Sequence, residues 1–150
     1  MIGEIMRTLE ILKAAWATDC QIDELNLQTA VSRTPILHSA YLDDLVQYKL
    51  RLTKIEHDQF EYKARRSRYY RGEMTKEELL EFGWPQWQHR TLKADIEALI
   101  YAESDFQKLM ARESYIRTSI YFLESVLQEI RARSFHCKNL IEWLKYRAGA

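Results

Sequence analysis

The residues best suited to chemistry lie in one basic and aromatic segment, YKARRSRYYRG at residues 62–72. It combines five cations with three tyrosines on a predicted helix. Cations bind the phosphates of a single nucleic-acid strand, and aromatic rings or guanidinium planes stack on its bases. Arginine serves both tasks because its planar fork binds phosphate through two hydrogen bonds and also stacks. The candidate binding residues are Lys63, Arg65, Arg66, Arg68, Tyr69, Tyr70 and Arg71.

A structural alternative explains the same segment. Its cations lie in the last turns of a predicted helix, where the helix dipole favours positive charge. Glu61, Glu73 and Glu77 are near enough in sequence to pair with them. Under this interpretation the segment is a solvated helix end that binds no ligand, and the residue types alone leave both interpretations open.

A second basic segment lies at residues 131–147, where five cations are interspersed with aromatic residues. It could extend a phosphate path, with Arg131, Arg133 and Lys138 as candidate contacts. The alternative is an amphipathic helix that packs its apolar side on a partner and keeps its cations at the edges.

The net charge of the chain is zero, with 22 basic and 22 acidic residues, but the charges are unevenly distributed. Two regions are acidic, with −3 over residues 1–60 and −5 over residues 73–130. The two basic segments each carry +4, over residues 61–72 and 131–150. A neutral total is therefore compatible with local nucleic-acid binding.

The sequence contains no recognisable catalytic or metal-binding motif. Four scattered glycines cannot form a phosphate-binding loop of the GxxxxGK[ST] type. No glutamate is followed three residues later by histidine, as di-iron helical bundles require, and the four histidines lie far apart. We therefore expect no enzymatic activity, no metal and no cofactor.

The features of secreted and membrane proteins are also missing from the sequence. Charged residues interrupt the apolar N-terminus, and no apolar run approaches the roughly 18 residues of a membrane helix. Cys20 and Cys137 are expected to be free thiols in a reducing compartment. These observations predict a cytoplasmic protein without membrane contact.

Glycine and proline are scarce, at four and two residues, which excludes turn-rich β folds and predicts an all-α protein. Apolar residues at alternating spacings of four and three predict a long helix over residues 35–71, started by Thr34 and Pro35. A second long helix is predicted over residues 89–130, with a bend allowed near Ser134 before a final helix. The predicted coiled-coil-like seam of the first helix consists of Tyr41, Leu45, Tyr48, Leu52, Ile55, Tyr62 and Tyr69, and the polar residues Gln59 and Arg66 fill two further seam positions.

Short flanking helices complete the predicted fold. One is expected over residues 4–17, and a second runs from an Asp23 cap through Val31. A third begins at a Thr75 capping box and ends at Gly83.

Several segments resemble the UvsY family, the recombination mediator proteins of T-even-like bacteriophages. YKAR at residues 62–65, followed by two tyrosines and a glycine, is similar to the family's Lys-Ala-Arg segment. IRARSF at residues 130–135, followed by KN and IEW, is similar to its C-terminal segment, although Ser134 replaces the usual glycine. Weaker matches are LHSAYL at residues 37–42 and LTKIE at residues 52–56.

The resemblance implies a protein that binds single-stranded DNA without sequence preference. It also implies that the protein helps the phage recombinase to replace the single-strand-binding protein on that DNA. Lys63 and Arg65 would contact DNA, and the subunits would form a hexameric or heptameric ring. The implied assembly surface consists of Phe135, Leu140, Ile141, Trp143 and Leu144.

We therefore expect two functional regions. Residues 1–130 would form the helical region that binds single-stranded DNA, and residues 131–150 the oligomerisation helix. The protein would act in the cytoplasm of the infected bacterial cell. The competing hypothesis is a structural coiled-coil or adaptor protein without direct DNA binding.

Overall fold

The structure, a computed structural model, describes residues 5–149, and this part of the chain contains helices and no strand. The all-α prediction is therefore confirmed, with two long helices of 44 residues each and three short ones. The helices are α1 (Leu9–Asp19), α2 (Leu27–Tyr70), α3 (Lys76–Phe82), α4 (Lys93–Tyr101) and α5 (Ser104–Arg147).

The predicted helix start at Thr34 and Pro35 is wrong, because α2 begins at Leu27 and continues through the proline. Pro35 lacks the N–H that would bind the carbonyl one turn earlier, so the helix loses one hydrogen bond there. The preceding turns are held by other contacts. Ala30 is buried, and its carbonyl accepts hydrogen bonds from the Thr34 hydroxyl and from Arg133. Packing therefore outweighs the local preference of proline.

The second long helix also differs from its prediction. Residues 86–92 are not helical, and the chain breaks again at Ala102 and Glu103, so α4 and α5 are separate helices. No break occurs at Ser134, because α5 remains helical to Arg147. A serine costs a helix less than the glycine it replaces in the family pattern, which is consistent with this continuity.

The short helices match their predicted caps in part. Thr75 and Glu78 form the predicted capping box of α3, and Gly83 ends that helix in the left-handed conformation. The first helix starts at a Thr8 cap rather than at residue 4, which lies outside the described residues. The separate helix predicted from Asp23 through Val31 does not form, because residues 27–31 are already part of α2. Asp23 instead accepts a hydrogen bond from the Leu25 backbone in the turn before α2.

The described residues form two compact units. The terminal unit contains the residues up to Leu50 and those from Arg117 onward, and the central unit is Arg51–Ile116. In the terminal unit, Tyr41 and Tyr48 are fully buried. Their hydroxyls donate hydrogen bonds to the Asp19 carboxylate and the Arg7 carbonyl, both at 2.9 Å, and Arg7 also pairs with the buried Asp44.

The predicted seam of α2 is confirmed by its burial. Of its apolar and aromatic positions, Tyr41, Leu45, Tyr48, Ile55 and Tyr69 are buried, and Leu52 and Tyr62 are half-buried. The polar seam position Gln59 donates a 2.7 Å hydrogen bond to Glu113 of α5, which satisfies its amide within the central unit. The core cluster of the central unit consists of Tyr69, Tyr70, Ile96, Ile100 and Phe106.

Candidate nucleic-acid interface

The cations of α2 in the central unit do not form one surface. Lys63, Ser67 and Arg71 repeat every four residues and therefore lie along one face of the helix. Lys63 contacts α4, where its Nζ donates a 2.9 Å hydrogen bond to the Tyr101 hydroxyl and lies 4.7 Å from the ring centroid. These contacts hold the ammonium group at the surface of the unit beside an aromatic ring.

A groove of about 270 Å³ runs along this face. Three of its lining residues are cations and one is a carboxylate, so its net charge is positive. Lys93 was not predicted from the sequence, because it lies in a region whose total charge is acidic. The lining residues are Lys63, Ser67, Arg71, Lys93, Ile96, Glu97, Ile100 and Tyr101.

Arg65 and Arg68 lie on another face of α2 and contact α3. The Arg65 guanidinium is 4.6 Å from the centroid of the Phe82 ring, and Phe82 stacks on Trp84 at 4.9 Å. Arg68 binds both carboxylate oxygens of Glu78, at 3.0 and 3.1 Å. The Thr75 backbone N–H and the Arg68 guanidinium together lower the pKa of Glu78.

Arg66 points into the central unit rather than toward solvent. Its Nε donates a 2.8 Å hydrogen bond to Glu103, at the break between α4 and α5. The same carboxylate accepts hydrogen bonds from the hydroxyls of Tyr62 and Tyr70. Burial, reinforced by these hydrogen bonds, raises the pKa of both tyrosines. Arg66 is therefore a structural residue in this conformation and is not presented to a phosphate.

The structure corrects the expectation that Tyr69 and Tyr70 offer their rings to bases. Only 6% and 7% of their surfaces are exposed, because both rings pack on Trp87 in the core of the unit. The exposed rings beside cations are Tyr101 and Phe82, at 38% and 36% exposure. Sequence reasoning missed both because they come from other helices, and only their pairing with α2 in the fold places them near the cations.

The second basic segment, in the terminal unit, is also divided. Arg131 and Lys138 are exposed, but Arg133 is only 3% exposed. Its guanidinium donates hydrogen bonds to the carbonyls of Asp19 and Gln21, at 3.0 and 3.3 Å, in addition to that of Ala30 at 3.4 Å. Arg133 therefore ties α5 to the end of α1 and the start of α2, and it is removed from the candidate DNA contacts.

The predicted assembly residues lie on α5 with different exposures. Phe135 and Trp143 are 64% and 54% exposed, and Ile141 is also exposed. Leu140 and Leu144 are half-buried within the chain. Exposed large apolar side chains on one helix are typical of an interaction surface.

The described part of the chain contains no cluster of histidine, cysteine or acidic residues suited to a metal ion. Within it, no helix has the length and apolarity needed to cross a membrane. Fold and site together define an all-α protein with a cationic groove, whose charge suits an anionic ligand. Comparison with known proteins makes the class more specific.

The family model described as "Recombination, repair and ssDNA binding protein UvsY" matches residues 15–150. The chain therefore belongs to the UvsY family, as its motifs predicted. No curated protein matches the chain.

Solved structures show the same fold. The chain is similar to the recombination mediator protein UvsY of bacteriophage T4 in a crystal of lattice type II, with a TM-score of 0.80 and 22% identity. That match covers 95% of this chain and 98% of the T4 chain. A lattice type IV structure of the T4 protein gives a TM-score of 0.80 at 21% identity, covering 93% and 99% of the two chains.

Proposed function

We propose that this protein is a recombination mediator that binds single-stranded DNA without sequence preference. The observation that carries the proposal is the cationic groove beside Lys63, in a chain that belongs to a family described as binding single-stranded DNA. Side chains that contact phosphates and ring faces do not distinguish between bases, so sequence preference is not expected. The proposed contacts are Lys63, Arg65 and Arg68 on α2 and Arg71 directly after it.

Binding of oligothymidylate at several salt concentrations tests this proposal. The double variant Lys63→Ala with Arg65→Ala removes two phosphate contacts. The slope of log affinity against log salt should fall in magnitude by about 1.4, at about 0.7 per contact on a single strand. Fluorescence anisotropy gives affinity and slope together.

A matched control comes from the same helix. Arg51 and Lys54 are exposed on α2 in the central unit and do not line the groove beside Lys63. Arg51→Ala with Lys54→Ala removes the same total charge and should leave the affinity for oligothymidylate and its salt slope nearly unchanged. If the Lys63 and Arg65 variant stays folded and binds as tightly as the parent protein, the site assignment is wrong.

One observation favours the competing structural hypothesis. Three cations of the segment are paired within the chain, since Arg66, Arg68 and Arg71 contact Glu103, Glu78 and Glu73. Under that hypothesis the parent protein does not bind oligothymidylate at all. The same titration therefore separates the two functions.

We further propose that the protein helps the phage recombinase to replace the single-strand-binding protein, in the cytoplasm of the infected bacterial cell. Family membership supports this role. The test is recombinase-dependent ATP hydrolysis on DNA covered beforehand with single-strand-binding protein. The parent protein should shorten the lag before hydrolysis begins, and an unchanged lag would contradict the loading role.

Assembly into a hexameric or heptameric ring is part of the same proposal. Residues 1–130 would bind DNA, and residues 131–150 would hold the subunits together. The exposed apolar side chains Phe135, Ile141 and Trp143 support this division. Leu140 and Leu144 would contribute to the same surface from half-buried positions. A ring would repeat each basic site, so that several weak contacts to one strand add up.

A further inference from the structure

A second groove in the central unit extends the one beside Lys63. Its volume is about 760 Å³, and it is formed by the end of α2 and the non-helical segment that precedes α4. Arg71, Lys93 and Ile96 line both grooves. The two grooves are therefore adjacent, with Arg71 and Lys93 between them, and we call them together the joined groove.

The second groove is also cationic. Arg71, Arg90 and Lys93 line it, together with one carboxylate, Glu73. Arg90 and Lys93 are exposed, and neither makes an ion pair with any residue among positions 5–149. In this respect they differ from Arg66 and Arg68, so their charges are available to a ligand at no cost in internal contacts.

The turn at the end of α2 does not block the joined groove. Gly72 adopts a left-handed conformation with φ of +72°, and the backbone N–H of Glu73 binds the Arg68 carbonyl at 3.0 Å. This motif ends the helix and turns the chain away. A Cβ atom at position 72 would meet no other atom within 4 Å, so the space directly beside this residue is open.

The lining also offers groups suited to bases. Trp87 and His89 pack edge to face at 5.0 Å, with His89 exposed, and Gln88 and Thr91 supply polar side chains. The indole N–H of Trp87 is already bound to the Thr91 hydroxyl at 2.9 Å. Aromatic rings can stack on any base, and polar side chains can bind different bases, so such contacts do not require a particular DNA sequence.

We propose that a single strand bound beside Lys63 continues past Gly72 into the second groove, where Arg90 and Lys93 bind its next phosphates. This inference rests on the proposed function, since it names further contacts for the same ligand. An extended polyanion fits better than a compact anion, because the four cations of the joined groove are spread over two connected depressions rather than gathered around one point.

The test is the double variant Arg90→Ala with Lys93→Ala in the full chain. Its affinity for long oligothymidylate should fall by at least roughly tenfold. Its salt slope should fall in magnitude by about 1.4, the value for two phosphate contacts on a single strand. Arg51→Ala with Lys54→Ala is the matched control, because it removes one arginine and one lysine from the same unit outside the joined groove.

Strand length supplies a second readout. In the parent protein, the first rise of affinity with oligothymidylate length should continue until the joined groove of one subunit is filled, and a further rise should follow when the strand reaches neighbouring subunits. In the Arg90 and Lys93 variant this first rise should stop at a shorter length. A loss that is equal at every length would show an isolated phosphate pocket and overturn the continuous path.

The outcomes also separate this inference from the proposed function. If the Lys63 and Arg65 variant loses binding while the Arg90 and Lys93 variant keeps the parent's affinity and slope, the second groove is excluded and the proposed function stands. If the parent protein does not bind oligothymidylate, both fail together. Circular dichroism of each variant verifies that the helices are intact.

Discussion

At the scale of single residues, neighbouring arginines in one segment have different roles. Arg66 and Arg68 are two positions apart, and on a helix such positions point in nearly opposite directions. Arg66 is directed into the core and binds Glu103, whereas Arg68 lies at the surface and binds Glu78. The charge of a segment therefore overestimates the number of cations available to a ligand.

Replacement of Arg66 by alanine should lower the free energy of unfolding by about 1–3 kcal/mol, because the partly buried Glu103 loses its charged partner. Arg68→Ala is the natural comparison, since it breaks an exposed pair worth at most about 1 kcal/mol. Urea denaturation measures both. Equal losses of unfolding free energy in the two variants would contradict a stabilising contact between Arg66 and Glu103 inside the central unit.

The pH dependence of stability provides a second residue-scale prediction. Burial raises the pKa of Tyr62 and Tyr70 above the ordinary value of 10.0. The folded state then keeps protons that the unfolded state releases, so stability is full below about pH 10 and falls as the pH rises further. The fall should reach roughly 1.4 kcal/mol per pH unit for each such tyrosine.

Tyr70→Phe should make this alkaline loss shallower. Urea denaturation at a series of pH values gives the slope, and Tyr121→Phe is the control because its ring is largely exposed. If the two variants lose stability equally steeply with pH, the hydrogen-bonded cluster around Glu103 does not control the alkaline limit.

At the scale of elements, the observed helices agree with the predicted ones where a regular apolar spacing extends over many residues. They differ where the prediction depended on a single residue that starts or ends a helix. The seam over α2 was predicted correctly because seven apolar or aromatic positions repeat in register, and burial rewards the whole set. The continuation of α2 through Pro35 and the break at Ala102 and Glu103 were not predicted correctly. The conformational preference of a single residue contributes less free energy than the packing of the helix turns around it.

Pro35→Ala tests this balance directly. The substitution restores a backbone N–H within α2 and removes the clash of the proline ring with the preceding turn. The free energy of unfolding should rise, by up to about 3 kcal/mol. Thermal and urea unfolding report the change. A destabilised variant would indicate that the helix depends on the distortion that proline imposes.

At the scale of the whole molecule, function depends on which surfaces remain uncovered. Phe135 and Trp143 are exposed, although their burial would be favourable at roughly 25 cal/mol per Å². We expect neighbouring subunits to cover them in the proposed ring.

Phe135→Ser with Trp143→Ser should therefore reduce the particle to the mass of one chain, as measured by light scattering. The control Phe60→Ser with Tyr121→Ser removes two aromatic rings that are exposed elsewhere and should leave the mass of the parent. The single-chain variant should also bind long oligothymidylate more weakly, by a factor on the order of 10² or more, because avidity is lost. An unchanged mass in the Phe135 and Trp143 variant would show that other residues hold the subunits together.

The sequence by itself determined the helical class, the long seam of α2, the α3 capping box and the family. Each of these depends on periodicity or on residues close in sequence, where local geometry decides the outcome. It also located the cations of residues 62–72, but not which of them face solvent.

Only the tertiary structure decided that Tyr70 and Arg133 are internal. Tyr69 and Arg66 each had two predicted roles, as a seam position and as a binding contact, and only the tertiary structure decided for the internal one. It also brought Tyr101 and Lys93 beside Lys63, from a region that is acidic in total. The physical reason is that exposure and proximity depend on how helices far apart in sequence pack together. Side chains 30 or more positions from Lys63 complete the groove, and no local pattern in the sequence specifies that they meet it.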